Sequence, residues 1–280
     1  MFGAGGQLGV ELVAEFGRQG YEVHGFTRQQ IDIGNLASVE SALTGLDPGL
    51  VLNAAAYNMV DLAESQPEEA YRANGLAPRN LATVCRQLDA KLVHYSTDYV
   101  FDGEQRQPYR EDDAPHPLGA YAVSKLAGEF YARAYLDNAL IMRVAVVCGP
   151  GGRQTARGNF VETMLKKAGE GKPLLVVNDQ TATPTYAPQI AIRTRELVQR
   201  QVSGVVHCGG EHAVTFYDYA RMIFAAAGVE VPVEPVSSRV FRTPARRPSY
   251  SALDNARMRK LGLPKMPPLE ECLADYLRQR

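Results

Sequence analysis

Tyr121 and Lys125 stand four residues apart in the stretch YAVSK. On a helix this spacing puts both side chains on one face, one turn apart. A phenol with a pKa of ~10 is a poor acid–base catalyst at neutral pH. An ammonium beside it favours the phenolate and lowers that pKa, so the pair can hand a proton to an oxygen that is gaining charge. The spacing alone is common, and its context carries the argument. HYSTDYVF ends an expected strand with Ser96, Thr97 and Asp98. Hydroxyls at the C-terminal edge of a parallel strand sit where α/β sheets bind ligands. Thr97 there could hold a carbonyl; taken alone, it reads equally well as a turn cap.

The second chemical signal is the opening, MFGAGGQLGVEL. Gly3, Gly6 and Gly9 form GxxGxxG, and Gly5 adds a GxG element. Early glycines let the backbone turn tightly and approach a pyrophosphate, and the last lets the following helix pack close to a sheet. The helix N-terminus, with Gln7 and Leu8 in its first turn, offers free N–H groups to the phosphates. After the next expected strand comes FTRQQIDI. An acid at that strand end would suit the ribose of NAD; Arg28 suits a 2′-phosphate and favours NADP, although a solvated surface arginine reads as well. Asp32 and Ile33 would border the adenine. Only Met1 and Phe2 precede the first glycine, where such a turn normally follows a full buried strand. Neighbouring strands are expected to lose pairing there. Either the chain as given starts inside that strand, or the fold manages with a stub.

These residues need a scaffold, and the first half supplies one. Apolar runs at 21–26, 50–57, 91–101 and 138–149 read as strands, and 7–19, 36–43, 67–88 and 120–136 as helices between them. That alternation predicts an α/β fold with a doubly wound parallel sheet. After Gly149 the rhythm loosens into a Gly- and Arg-rich loop (149–159), helices at 160–170 and 215–228, a stretch at 183–199 that turns into a helix, strands at 173–177 and 204–210, and a basic, proline-interrupted loop running into a helix (240–263). The expected organisation is a Rossmann-like domain over 1–148 and a smaller α+β substrate domain over 149–280, with a segment near 183–206 returning to the first. With 30 basic and 31 acidic residues, the balance argues against nucleic acid or an anionic membrane as the main partner. No apolar run suits a spanning helix and the start lacks a signal-peptide pattern, so a cytoplasmic protein is expected. Four scattered cysteines fit a reducing compartment, and the five histidines make no metal-binding spacing.

The ordered set GxxGxxG, NAAA, STDYVFDG, YxxxK and RPxxSxLD resembles the extended short-chain dehydrogenase/reductases and, within them, the dTDP-4-dehydrorhamnose reductase family. The likeness runs from Gly3 to about 263. It implies a catalytic set of Thr97, Tyr121 and Lys125, with hydride passing from NADPH to C4 of a 4-keto sugar. Tyr121 would protonate the C4 oxygen, Lys125 would lower the tyrosine pKa and hold the nicotinamide ribose, and Thr97 would polarise the ketone. It implies cofactor contacts along the Gly5–Leu8 turn and at Asp32, Ile33, Ala56, Tyr57, Asn58 and Tyr95. Asp98 falls at a substrate position, and Arg247, taken with Asn159 and Gln180, is the candidate for the nucleotide or diphosphate. NADH in place of NADPH, a homodimer and a linked Mg²⁺ stay open; no ligand cluster supports the metal.

Two departures qualify the resemblance. Where the family usually has R-T-S-W-V-Y, this chain reads RVAVVC over 143–148, so the sugar-side tryptophan is Val146 and the tyrosine is Cys148. The other departure is the short opening strand. Two further readings therefore stand beside a dTDP-sugar ketoreductase: another nucleotide-sugar reductase or epimerase of the superfamily, and a non-catalytic NADP-binding regulatory homologue.

Overall fold

A computed structural model describes residues 1–155 and 158–280, with Gln154 through its backbone alone. The expected loop at 149–159 thus lies partly outside the described residues, at 156 and 157. The first helix, α1 (Gln7–Arg18), starts at Gly6, which offers no side-chain cap. In α2 (Leu36–Thr44) the Asn35 side chain accepts the Ser38 N–H, satisfying one orphan donor of the first turn. The expected helix 67–88 is three pieces: α3 (Pro67–Tyr71), one wider π-helical turn (Arg72–Leu76) and α4 (Ala77–Gln87). Next comes α5 (Ala120–Tyr135), which carries Tyr121 and Lys125.

The main sheet is parallel, with β1 (Leu50–Asn53), β2 (Lys91–Thr97), β3 (Leu140–Val144) and the later strand Gly204–Cys208 side by side in that order. Side chains alternate between its two faces. Val93, Tyr95, Leu140 and Met142 join Leu12 and Phe16 of α1 and Ile190 and Leu197 of the helix Ala187–Gln199. Leu92 and Ile141 join Val39, Leu43, Leu81 and Val84 on the other side. Helices cover both faces, so the sheet is doubly wound, as expected for a Rossmann-type α/β fold.

The opening stub is used in full. Phe2 bridges both Phe26 and Asn53. Its N–H donates to Leu52 O at 2.8 Å, its carbonyl accepts from Ala54 N at 3.0 Å, and Phe26 N donates to Met1 O at 2.8 Å. The sheet thereby continues past β1 by one residue pair on each side of Phe2. The expected strand at 21–26 is corrected: Phe26 is bridged and His24 O accepts one bond from Met1 N, while Tyr21–Gly25 otherwise make no ladder bonds. The Met1 ammonium donates to His24 O at 2.9 Å, and burial lowers its pKa to about 6.

The expected strand 138–149 is also interrupted. Ala145 and Val146 separate β3 from β4 (Val147–Cys148), and Val146 takes φ +40°, a conformation that a β-branched residue adopts only under strain. The rest of the chain forms α6 (Phe160–Ala168), β5 (Leu174–Val177), short strands at Thr181–Ala182 and Thr185–Tyr186, the Gly204–Cys208 strand, Val214–Thr215 and the helix Phe216–Ala227. The strand Val233–Val236, which pairs with β5, and the helix Leu269–Arg278 were not anticipated. Of the expected helix at the end of 240–263, only Ala256–Lys260 is helical; prolines 244, 248 and the extended chain before Asn255 use the remainder. Leu165, Leu174, Tyr219, Ile223, Leu273 and Tyr276 form a second core here. Cys85, Cys148, Cys208 and Cys272 are all free and buried, and burial pushes each thiol up to about 11 or 12. No helix among the described residues is long and apolar enough to cross a membrane.

Extending the chain ahead of Met1 by about five β-branched residues should pair Tyr21–Gly25 and replace the buried amine, whose pKa of about 6 leaves it mostly neutral at pH 7, with a peptide N–H. Several kcal/mol of added burial at ~25 cal/mol/Å² correspond to a Tm rise of at least about 4 °C. An unchanged Tm in calorimetry would show that the two-residue stub already suffices.

Candidate active site

The glycine turn forms the floor of a cleft of about 500 Å³. Each glycine there has a separate physical reason. Gly3 has φ +77°, and a Cβ on it would stand 2.5 Å from Ala55 N. A Cβ on Gly9 would meet Gly3 O at 2.0 Å, so α1 can start this close to the sheet only without a side chain. Gly9 does its work by packing and does not line the cleft. A Cβ on Gly5 would touch only Thr27 Cγ2, at 3.6 Å; protein packing does not demand a glycine there, and Gly5 borders the cleft. The uncapped first turn of α1 leaves N–H groups for an anion. This bare cradle fits the pyrophosphate of a dinucleotide.

The cleft gathers most of the expected cofactor residues. Gly3, Gly5, Gly6, Gln7 and Leu8 line one part, Arg28, Asp32 and Ile33 a second, and Ala56, Tyr57, Asn58, Tyr95, Tyr121 and Lys125 a third. Several act through backbone or through neighbours. Tyr95 buries its ring, its hydroxyl lies 2.8 Å from Thr194 Oγ1, and its carbonyl is what faces Lys125. Gln7 donates to Val147 O at 2.7 Å and accepts from Asn159 Nδ2 at 2.7 Å, tying the turn to the C-terminal half.

Lys125 is buried, and its Nζ donates to Tyr95 O at 2.5 Å. Burial lowers its pKa to about 8, and the Glu129 carboxylate opposes that shift. Tyr121, one turn earlier on α5, borders the cleft and also a small space lined by Tyr99, Ala245 and Pro248. Its ring meets Tyr99 edge-on, with centroids 6.1 Å apart. Tyr121 thus lies where the cleft meets the 245–248 segment, one helical turn before Lys125.

Thr97 follows the cleft-lining Ser96 but is itself buried. Its hydroxyl donates to Asp98 Oδ1 at 3.1 Å and accepts the Tyr99 N–H at 3.2 Å, so it caps the turn that follows β2. Both readings of Thr97 therefore share one side chain; donation to a ketone requires the hydroxyl to rotate away from Asp98. Ser251 Oγ donates to Asp98 Oδ2 at 2.5 Å. Burial raises the Asp98 carboxyl to about 6 despite the hydrogen bonds from Ser251 and Thr97.

The expected substrate group is dispersed. Asn159 caps α6 by accepting the Glu162 N–H and gives its amide to Gln7 and Tyr276. Arg247 makes a two-nitrogen pair with Asp61, at 2.8 and 3.0 Å, and bonds Thr243. Gln180 is half-buried, and its carbonyl accepts from Phe216 N. The hydrogen bonds of Arg247 go to Asp61, Thr243 and Ala245 O, not to Asn159 or Gln180. Val146 packs against the second core and accepts the Thr185 N–H through its carbonyl at 3.3 Å.

Asn74, the Glu129–Arg143 pair and Ser251 were not among the site residues expected from the sequence. Asn74, fully buried, accepts the Tyr57 N–H, donates to Tyr57 O, both at 2.9 Å, and donates to Ser124 Oγ, pinning the 54–58 loop beside α5. Ser96 donates to Glu129 at 2.5 Å, and Glu129 holds buried Arg143 through two nitrogens. Ser251 reaches Asp98 across 153 residues of chain. A buried Asn in a helix pattern and an Arg inside an apolar strand were the available signals. No group of three or more His, Cys, Asp or Glu among the described residues could hold a metal ion.

Asp98 makes a testable statement about pH. Its folded pKa of about 6 lies above its ordinary 3.8, so between these values the folded state holds the extra proton, and stability falls as pH rises through that window. About two pH units correspond to on the order of 3 kcal/mol. Asp98→Asn is expected to flatten urea-unfolding stability between about pH 4 and 6; an unaltered slope would assign the effect elsewhere.

The RmlD substrate binding domain family matches residues 1–280. The dTDP-4-dehydrorhamnose reductase of Mycobacterium tuberculosis is 39% identical over 98% of this chain and 90% of its own length. The spore coat polysaccharide biosynthesis protein SpsK of Bacillus subtilis is 35% identical over 99% of this chain and 96% of its own. The crystal structure of the Bacillus anthracis dTDP-4-dehydrorhamnose reductase in complex with NADP superposes with a TM-score of 0.95 at 32% identity, covering 100% of this chain and 98% of that one. A doubly wound sheet with a bare glycine cradle and a Tyr–Lys pair on the cleft wall, matched from end to end, makes this chain a member of the RmlD substrate binding domain family.

Proposed function

We propose that the chain reduces the C4 ketone of dTDP-4-dehydro-L-rhamnose with NADPH, giving dTDP-L-rhamnose. The observation that carries this reading is Tyr121 on the cleft wall with Lys125 one turn behind it, fixed on the Tyr95 carbonyl. The reductases named among its relatives and the NADP held by the B. anthracis protein support it.

The glycine turn with Gln7 and Leu8 would hold the pyrophosphate; Arg28, Asp32 and Ile33 the adenosine; and Ala56, Tyr57, Asn58, Tyr95 and Lys125 the nicotinamide half. NADPH, when bound, supplies a hydride to the ketone carbon. Tyr121 gives its phenolic proton to the oxygen that gains charge. Lys125, charged below about pH 8, stabilises the phenolate left behind. Thr97 turns its hydroxyl toward the ketone, an electrostatic contribution to the same oxygen. Asp98 steers Thr97 and the substrate side, Arg247 takes the nucleotide or diphosphate by exchanging its Asp61 partner, and Val146, Asn159 and Gln180 border the sugar nucleotide, Asn159 acting through Gln7. A cytoplasmic location and a homodimer go with this reading; the four free, buried cysteines support the former.

One observation favours a second reading of the sugar. Val146 offers no aromatic face, and Cys148 is buried, so a related keto sugar nucleotide would be turned over faster than dTDP-4-dehydro-L-rhamnose in a substrate panel. NADPH oxidation followed by absorbance with the keto sugar tests the reaction; no oxidation with any sugar nucleotide would favour the regulatory reading.

Tyr121→Phe is expected to lower turnover by at least about 10²-fold while NADP⁺ still binds. Retained turnover would remove Tyr121 from the reaction. For the unaltered protein, kcat should fall as pH rises through about 8, where Lys125 loses its charge. A rate that stays level to about pH 10 would show that the charge on Lys125 is not used.

A further inference from the structure

We propose that Arg72 is a second cation of the cleft, beside Arg28, and that the two together read the 2′-phosphate that distinguishes NADPH from NADH. The inference rests on the cleft being a dinucleotide site and deepens that reading.

Arg28 and Arg72 both line the cleft, on segments 44 residues apart in sequence. Arg28 opens a tight turn in which the Gln30 and Ile31 N–H groups both donate to Thr27 O. Asp32 follows directly. Its Oδ1 accepts the Gly34 N–H at 2.9 Å, and its Oδ2 pairs with Arg72 Nη2. Asp32 thereby fastens the arm of Arg72 within one turn of Arg28. Gly34 makes room for that arm, since a Cβ there would stand 2.9 Å from Arg72 Nε and 3.0 Å from its Cγ.

The direction of Arg72 comes from the backbone. It begins the π-helical turn between α3 and α4. The wider turn shifts the helical register, so Arg72 and Ala73 face the cleft while Asn74 faces Tyr57. An arginine–aspartate pair with both side chains half exposed stabilises the fold little, so a partner can be exchanged cheaply. Asp32 engages Arg72 through one nitrogen, and a guanidinium has five donors in a planar fork that suits phosphate. Glu69, three residues before Arg72, also lines the cleft. Two arginines and two carboxylates balance there, and a bare 2′-hydroxyl meets a neutral end. A phosphate carries further negative charge, which two guanidinium groups can take up.

Calorimetric titration with 2′,5′-ADP and with 5′-ADP isolates this end from the sugar chemistry. The unaltered protein should bind 2′,5′-ADP more tightly. Arg72→Ala should weaken 2′,5′-ADP about ten- to hundred-fold and leave 5′-ADP within about twofold, the loss expected for charge-assisted hydrogen bonds to one group. Arg72→Lys, which keeps the charge and loses the fork, should fall between. Equal weakening of both nucleotides would make Arg72 a contact for adenosine and overturn the inference, and so would no weakening of either. Keto-sugar-dependent NADPH oxidation, measured on the same preparations, separates the two readings. An active protein whose nucleotide preference ignores Arg72 loses only this inference. A protein that shows the preference yet reduces no keto sugar loses only the reductase reading.

Discussion

The site depends on how closely backbone can approach backbone at the first crossover. Gly3 presses against Ala54 and Ala55, and Gly9 presses against Gly3. Any side chain at either position would push α1 outward by ångströms. The helix N-terminus would then no longer open onto the C-terminal edge of the sheet, where Tyr95, Ser96 and Lys125 meet the cleft. Packing density and chemistry are therefore one requirement here: the contact that closes the core also sets the phosphate cradle.

A second constraint holds the opposite wall. Ser96, Glu129 and Arg143 link β2, α5 and β3, and Arg143 lies 3.4 Å from His207 Nε2 on the neighbouring strand, with its guanidinium 5.1 Å over the Phe101 ring. Breaking one side of such a buried pair typically destabilises by about 3–5 kcal/mol, because it strands the other charge. The network spans the strand end that carries Ser96 and Thr97 and the helix that carries the Tyr–Lys pair. Its Glu129 carboxylate also raises the Lys125 pKa against the lowering effect of burial.

Much of this was legible in the residues. The glycine spacing, the Tyr–Lys spacing and the strand end at Ser96–Asp98 each name a local geometry, and the doubly wound sheet follows from alternating periods. The failures share a cause: they turn on partners distant in the chain. YEVHGF has strand composition, but strand pairing needs a neighbour, and Met1–Phe2 provides one only for Phe26. The π-helical turn at Arg72–Leu76 has no composition of its own, so neither Arg72 nor Asn74 announced its direction. Arg247 was grouped with Asn159 and Gln180 through the resemblance, whereas the fold spends Arg247 on Asp61 and Asn159 on Gln7. Val146 shows the converse. The sequence revealed a missing aromatic ring, and only the fold revealed that the residue there bends its backbone to φ +40°.

The four cysteines lead to a practical property of the molecule. Thiolate is the reactive form, and burial keeps Cys85, Cys148, Cys208 and Cys272 as neutral thiols with pKa values of about 11 or 12. They are spread over both cores, two beside the sheet faces and two in the C-terminal cluster. Alkylating reagents therefore pass over the native protein and mark only molecules that have opened, and the labelled position tells which half opened first. Nature has left a set of silent reporters in each half of the fold, ready for kinetic unfolding work without a single engineered probe.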